Sequence, residues 1–225
     1  QRISSINSIS ALCEVTGANV EELSKAIGMD TRIGPKFLTA SVGFGGSCFK
    51  KDILNLVYIS ESMGLHEVAE YWDWVLKMND YQTRRFVHRM ITNMFNTLSG
   101  KKIAMFGFAF KANTGDTRET PALYATKYLL DENAHVVITD PKALDNARKD
   151  LKDFAGKIKF TEDPYEAVKQ ADAIAIMTEW DDYKKLDYKK IYGLMRKPCY
   201  IFDGRNILDA EEIRKIGFGY FGVGH

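Results

Sequence analysis

Apolar residues recur at helical spacing from the start of the chain. Ile3, Ile6 and Ile9 open a stripe that predicts a helix to about Thr16, where Gly17-Ala18-Asn19 interrupts it. Asn19, with Glu22 three residues on, predicts a capping box for a second helix that stops at Gly28. Residues 30–50 hold several glycines and Pro35 and read as loop. A third helix is expected from Asp52 to near Gly64, on Ile53, Leu54, Leu56, Val57 and Ile59. A fourth, over about 67–98, carries one stripe through Val68, Tyr71, Trp72, Val75, Met78, Gln82, Phe86, Met90, Met94 and Leu98. Its length suits a connection between domains or a dimer seam, and its stripe reads as core or subunit interface rather than a cofactor box.

At Ser99-Gly100 the pattern changes. Short apolar runs at 102–106, 135–139, 157–161, 173–178, 200–203 and 218–221 predict strands. Helical segments fall between them: after Thr120-Pro121, near 143–152, from Asp163-Pro164, up to about 194, and from Asp209. Strands alternating with helices predict a parallel, doubly wound sheet. The fold class is therefore α/β: a helical region over 1–99, then a Rossmann-like domain over 100–225.

At 225 residues, 45% of them hydrophobic and 27% charged, the chain has ample material for a buried core. A net charge of +1 gives no global attraction to nucleic acid or membrane, so an anionic ligand must be held locally. The lysines between 184 and 190 alternate with Asp187 and aromatics, as on a solvated face. No apolar run approaches the ~20 residues of a membrane span, and no signal peptide is visible. Cys13, Cys48 and Cys199 are odd in number and far apart, which argues against disulfides and fits the cytosol. None has metal-ligand spacing, and His66, His88, His135 and His225 do not cluster, so no metal is expected. The chain opens on Gln1, inside what reads as a helix already under way, and is expected to be the C-terminal part of a longer polypeptide.

Candidate chemistry concentrates in Val42–Asp52. There Cys48 stands between a glycine-rich turn and a helix start, beside Lys50 and Lys51. A helix N-terminus and nearby cations favour the thiolate, and the glycines allow close approach of a ligand. The alternative is a small buried cysteine behind a loop. Asp52, four residues on, reads either as a helix cap or first-turn acid, or as a partner in the chemistry. Backbone amides near the glycines of 37–45 could form an anion-binding nest. Phe110-Lys111 and Arg205 fall just past strand ends, on the edge where open α/β sheets bind ligands. Gly217–Gly222 satisfies G-x-G-x-x-G, but the chain ends three residues later, so it reads as a false positive. Asp140-Pro141 reads as an ordinary turn.

The run Phe44-Gly45-Gly46-Ser47-Cys48 with Lys51-Asp52 resembles the F-G-G-S-C-x-x-K-D signature of the UDP-glucose dehydrogenases, in the UDP-glucose/GDP-mannose dehydrogenase family. The resemblance is collinear from Gln1–Ser8 and Arg32–Leu38 to Gly107–Lys111, Thr114–Glu119 and Ile201–Arg205. It implies a central dimerisation region followed by a UDP-binding domain, in an enzyme that oxidises UDP-glucose to UDP-glucuronate with NAD. Cys48 would attack an aldehyde at C6 to give a thiohemiacetal, oxidised to a thioester that water opens with help from Asp52. Phe37, Leu38, Thr39, Ala40, Ser41, Val42, Gly43, Phe44 and Gly45 would wrap the glucose and pyrophosphate. Phe110, Lys111 and Arg205 would hold UDP, and Arg32 would reach the sugar site of a neighbouring subunit. Cys48, Phe49, Lys50, Lys51 and Arg118 would meet the cofactor. The dinucleotide fold itself, with a glutamate and a lysine near the chemistry, would lie upstream of Gln1, so the chain alone would not turn over. A homodimer at least, through the central helices, and a cytoplasmic location complete the expectation. Two alternatives stand beside it. One is a dehydrogenase of another nucleotide sugar, such as GDP-mannose or UDP-N-acetylmannosamine. The other is a non-catalytic UDP-sugar-binding or dimerisation module.

Overall fold

The computed structural model describes all 225 residues. Four helices come first: α1 Arg2–Thr16, α2 Val20–Gly28, α3 Ser47–Ser62 and α4 His66–Asn93. Gly17, with φ 75°, ends α1, and the Asn19 side chain accepts from the amides of Glu21 and Glu22 to cap α2. The start of α3 corrects the reading from sequence. It begins at Ser47, five residues before Asp52, because Gly46 (φ 90°, ψ 158°) turns the chain straight into the helix with no side-chain cap. Cys48 therefore lies inside the first turn, and Asp52 is neither cap nor first-turn acid. The end of α4 is also earlier than expected. Phe95 and Asn96 take positive φ, so Met94 and Leu98 are buried from the following loop rather than from the helix. Within α4, Val75, Gln82, Phe86 and Met90 are core, while Val68 and Tyr71 at its start are exposed.

The rest winds a six-stranded sheet. The strands are β1 Lys102–Phe106, β2 His135–Thr139, β3 Ile158–Phe160, β4 Ala173–Ile176, β5 Tyr200–Asp203 and β6 Gly219–Gly222. Between them run α5 Pro121–Asp131, α6 Leu144–Asp150, α7 Pro164–Val168, α8 Asp181–Lys184, α9 Tyr188–Leu194 and α10 Ala210–Ile216. All neighbours are parallel, in the order β3-β2-β1-β4-β5-β6. The order reverses between β1 and β4, which opens a crevice at their carboxyl ends. Every residue of β4 is buried, as expected of a sheet covered on both faces. Thr120 caps α5 and Pro121 is its first residue. The glycines of 217–222 are a helix stop, Gly217 at φ 118°, followed by strand β6.

The helical region shares one buried core with the sheet: Ile6 and Cys13 of α1 and Phe86, Val87 and Met90 of α4 belong with the strand residues. Phe86 meets Phe202 of β5 edge to face, with ring centroids 6.5 Å apart. No helix is long and apolar enough to cross a membrane.

The turn after β1 is built on two close fits. Gly107 (φ 92°) has no room for a side chain, since a Cβ there would stand 2.4 Å from Thr178. Asp140, at the end of β2, does more than turn the chain. It is buried, and its Oδ2 accepts from the amides of Phe108 (2.7 Å) and Ala109 (3.0 Å) and from Trp180 Nε1 (3.2 Å). Its Oδ1 accepts from the amides of Lys142 and Ala143, both at 2.8 Å. Replacing it strands buried donors on three segments. Asp140→Ala is expected to lower unfolding free energy by roughly 3 kcal/mol, read by urea denaturation at neutral pH. A loss within ~0.5 kcal/mol, the range of ordinary surface substitutions, contradicts the clamp.

Candidate functional site

The chain from Leu38 to Gly45 crosses the gap between the helices and the carboxyl edge of the sheet, where it borders an open cleft, and is entered through a left-handed Phe37 (φ 61°). Leu38, Ala40 and Val42 are buried away from the cleft; exposed Phe37 and Thr39 and the largely buried Ser41 and Gly43 line it. No neighbouring strand pairs with it, so side chains satisfy its backbone. Asn7 Oδ1 accepts from the Ser41 amide (2.9 Å), Gln82 Nε2 donates to Ser41 O (2.7 Å), and Thr83 Oγ1 donates to Val42 O (2.9 Å). Asn79 holds Phe44 from both sides, accepting from its amide at 2.8 Å and donating to its carbonyl at 3.0 Å. The Val42 amide donates to Gly204 O (2.8 Å), tying the segment to the end of β5.

Across the cleft, of about 420 Å³, stand Phe110, Lys111, Glu179 and Arg205. Arg205 is held rigid: Nε donates to Met177 O (2.8 Å) and Nη2 to Phe110 O (3.1 Å), while Glu179 Oε2 lies 3.3 Å from Nε. Burial lowers its pKa, and the charges of Glu179 and Asp203 pull it back up. Glu179 Oε1 also accepts from the Ala112 amide (3.2 Å), joining the arginine to the turn that carries Lys111. A guanidinium fixed this way suits a bidentate anion such as a phosphate.

Cys48 sits at the second residue of α3 and is exposed, whereas Cys13 and Cys199 are buried. Burial pushes both of those thiols up. The Gly46 amide donates to Arg118 O (2.8 Å), which brings the 116–119 turn against the cysteine turn. Arg118 gives Nε and Nη2 to Asp116, and a thiolate at Cys48 is near enough to add to the rise that Asp116 causes in the guanidinium's pKa. The backbone contact at Gly46 thus brings Arg118 to the same side of the molecule as the cysteine turn. Lys50 is not a free cation: its Nζ is 2.8 Å from Glu119 Oε2 and 3.3 Å from the Tyr124 hydroxyl. Lys51 is exposed.

One helical turn past Cys48, Asp52 lines a second hollow of about 320 Å³ with Gln1, Arg2, Ile53 and Trp72. Ile3, Phe37, Phe44 and Phe49 line both hollows, so they are contiguous. Arg32 lies outside both, exposed and paired with Asp30. A further cavity, of about 570 Å³, opens at the amino ends of β1–β3, between Lys102, His135, Lys159 and Arg196, and contains none of the candidate site residues. Sequence reasoning did not single out Asn79, Thr83, Glu119, Tyr124 or Glu179. Each acts across a contact of 35 or more positions along the chain except the local Glu119–Tyr124 bond, and no local pattern signals such a contact.

The central-domain model of the UDP-glucose/GDP-mannose dehydrogenase family matches residues 1–81, and that family's UDP binding domain matches residues 104–210. The chain is 54% identical to UDP-glucose 6-dehydrogenase 1 of Glycine max, over all of this chain and 50% of that protein. It therefore spans about half the length of the curated relatives it matches. Among solved structures, a UDP-glucose dehydrogenase from the hyperthermophilic archaeon Pyrobaculum islandicum superposes with a TM-score of 0.84. That match has 32% identity over 99% of this chain and 48% of the other. A UDP-D-ManNAc dehydrogenase from Pyrococcus horikoshii superposes with a TM-score of 0.76 at 25% identity, again over 99% and 48%.

The pairing of Lys50 and Glu119 has an acid-side signature. Partial burial works against the carboxylate, yet bonds from Lys50 and Tyr124 hold Glu119 below the ordinary glutamate range. A depressed folded value contributes stability above the unfolded value, and that stability is lost as pH falls through the folded one. Between about pH 5 and 3, around the ordinary glutamate value of ~4.3, the unmodified chain should lose stability more steeply than Glu119→Gln in parallel urea titrations. Parallel slopes contradict the pairing.

Proposed function

The chain belongs to the UDP-glucose/GDP-mannose dehydrogenase family, and from that premise we propose that it is the C-terminal, UDP-sugar-binding part of an NAD-dependent UDP-glucose 6-dehydrogenase, a cytoplasmic enzyme forming UDP-glucuronate. The observation that carries this reading is one continuous wall. It runs from Arg205 and Lys111 at the sheet edge, past Thr39, Ser41 and Gly43, to Gly45 and Phe49, which flank the turn bearing the exposed Cys48; the cysteine itself stands just outside the cleft's lining.

Lys111 and Arg205 take the pyrophosphate, and the segment from Phe37 to Gly45 lies along the sugar. Leu38, Ala40 and Val42 contribute only backbone, since their side chains are core. At C6 the Cys48 sulfur adds to an aldehyde: a C–S bond forms, the carbonyl oxygen takes a proton, and a thiohemiacetal results. Its oxidised form is a thioester. Water attacks the thioester carbon as Asp52, one turn along the helix, takes the water's proton. The C–S bond breaks, the thiolate leaves toward Arg118, and the carboxylate is released.

NAD, when bound, would supply the hydride acceptor for both two-electron oxidations, C6 alcohol to aldehyde and thiohemiacetal to thioester, one NAD for each. The turn after β1 has no glycine fingerprint, and α5 begins on a buried Pro121 with its first turn closed by Thr120 Oγ1, so this sheet does not itself make a dinucleotide site. Arg118, whose Nη1 is unspent, and the exposed Lys51 fit the phosphates of a cofactor held by the part of the enzyme outside this chain. On this reading the chain alone does not turn over. The 54% and 32% identities to UDP-glucose dehydrogenases, against 25% to the UDP-D-ManNAc enzyme, favour glucose as the sugar.

The oligomer is the second part of the proposal. Of the sixteen residues of α3 only Ser60 is buried, and Leu54, Tyr58, Ile59 and Met63 stand exposed beside Val68 and Tyr71 of α4. An apolar face of that extent fits a second copy of the chain. Sedimentation equilibrium should give a dimer for the unmodified chain and a monomer for Leu54→Asp combined with Met63→Asp. A monomeric unmodified chain removes this part of the proposal.

Calorimetric titration tests the substrate. UDP-glucose should bind more tightly than GDP-mannose or UDP-N-acetylmannosamine, and Lys111→Ala and Arg205→Ala should each weaken it by about tenfold or more, the ~1.4 kcal/mol of a charge-assisted bond. Tighter binding of a comparator overturns the assignment to UDP-glucose. Affinity unchanged in both variants overturns the site.

A further inference from the structure

Glu119 is held in a conformation that its residue type disfavours. Its φ of 52° lies in the left-handed region, uncommon for a side chain other than glycine, asparagine or aspartate. Such a backbone persists where its surroundings over-determine it. Here they do. The Glu119 carbonyl presses so close to Gly45 that a Cβ there would meet it at 2.5 Å, and the preceding carbonyl, of Arg118, accepts from the Gly46 amide at 2.8 Å. The Glu119 carboxylate reaches across to the helix that these glycines introduce. Its Oε2 accepts from Lys50 Nζ at 2.8 Å and from the Tyr124 hydroxyl at 2.5 Å, and Lys50 and Tyr124 are themselves 3.3 Å apart.

We propose that Glu119 is a positioning residue for Cys48: together with Lys50 and Tyr124 it locks the first turn of α3 against the 116–119 turn, so that the thiol is held in one place at the start of that helix. The proposal rests on the reading of Cys48 as the nucleophile and adds to it the group that aims it. One alternative is a plain surface ion pair, because Lys50 and Glu119 are each more than a third exposed and such pairs contribute little. A plain pair does not account for the left-handed backbone, the tyrosine that closes the triangle, or the paired backbone contact at Gly46. The lock also separates charges. Lys50 is spent on Glu119, while Arg118 is anchored separately, by Asp116 through Nε and Nη2. If the 116–119 turn drifts away, the Gly46 amide loses its carbonyl partner and the first turn of α3 loses its anchor.

The test reads the thiol directly. Cys48 is exposed and Cys13 and Cys199 are buried, so iodoacetamide in the native state reports Cys48, with Cys48→Ser as the blank. At pH 7 both Glu119→Gln and Lys50→Met should slow alkylation by about tenfold, as expected when the first turn that carries the thiol is no longer fixed at the helix N-terminus. Because the thiol is already accessible, loosening cannot raise the rate by exposing it. The charge-swapped pair Lys50→Glu with Glu119→Lys should recover most of the rate, which general destabilisation does not allow. Thermal midpoints establish that each variant is folded, and if Glu119→Gln does not fold, Lys50→Met and the swap decide. Wild-type rates in the single variants overturn the proposal, as does a loss that the folded swap fails to restore. The parent reading fails separately: it falls if Cys48 in the unmodified chain reacts no faster than cysteine in an unstructured peptide.

Discussion

A buried backbone segment without a strand partner is the constraint on which the rest of this structure depends. Residues 38–44 cross between helices and sheet, and every amide and carbonyl there removed from water needs a partner. The partners come from side chains: Asn7 on α1, and Asn79, Gln82 and Thr83 on consecutive turns of α4. Those bonds fix the register of the segment, and the register fixes which side chains enter the cleft. A slip of one residue would turn Leu38, Ala40 and Val42 into the cleft and bury Thr39. The same bonds deliver Gly45 and Gly46 to the sheet edge, where the chain can enter α3 with Cys48 in its first turn. The thiol's place is therefore set by α4, more than thirty positions further along the chain.

Charge is arranged on an equally local scale. The whole chain carries a net charge of only +1, so an anion is bound by placement rather than by bulk attraction. Arg205 is desolvated but satisfied, with two donors on carbonyls and a carboxylate alongside. Its rotamer is decided before any ligand arrives, which reduces the ordering cost of binding. Asp140 gives the opposite edge of the turn the same rigidity, accepting from Phe108 and Ala109 so that Phe110 and Lys111 leave β1 in a fixed direction.

The sequence pattern reveals the parts of this molecule that are local in the chain. Strand positions, the Thr120-Pro121 start of α5, the stop at Gly17 and the glycine turn before Cys48 all express themselves within a few residues. The start of α3 does not, because Ser47–Lys51 shows no apolar period, and the helix is recognisable only from Asp52 onward. Asp140-Pro141 reads as a turn, and it is one. Its side chain's bonds to Phe108 and Trp180 span 32 and 40 positions and leave no mark in the local pattern. Lys50 shows the same limit in the other direction. Beside Cys48 in sequence it looks like the cation that activates the thiol, yet its charge is committed to a carboxylate 69 positions away.

The three cysteines show why placement rather than residue type decides chemistry here. Cys13 and Cys199 are enclosed by apolar neighbours, and that burial disfavours their charged form. Cys48 is exposed instead, and two glycines shortly before it set its place: a side chain at Gly45 would collide with the Glu119 carbonyl, and Gly46 takes a φ of 90° that side chains resist. The two glycines let the turn press flat against the 116–119 segment, which leaves the first residues of α3 standing clear of the core. A helix N-terminus with no side-chain cap then carries the exposed sulfur in its first turn, and the 116–119 turn that braces it comes from the sheet side. Neither half of the molecule holds that site alone. The helical part supplies the thiol and the sheet supplies the charge, and the shared core that buries α1 and α4 against the strands keeps the two in register.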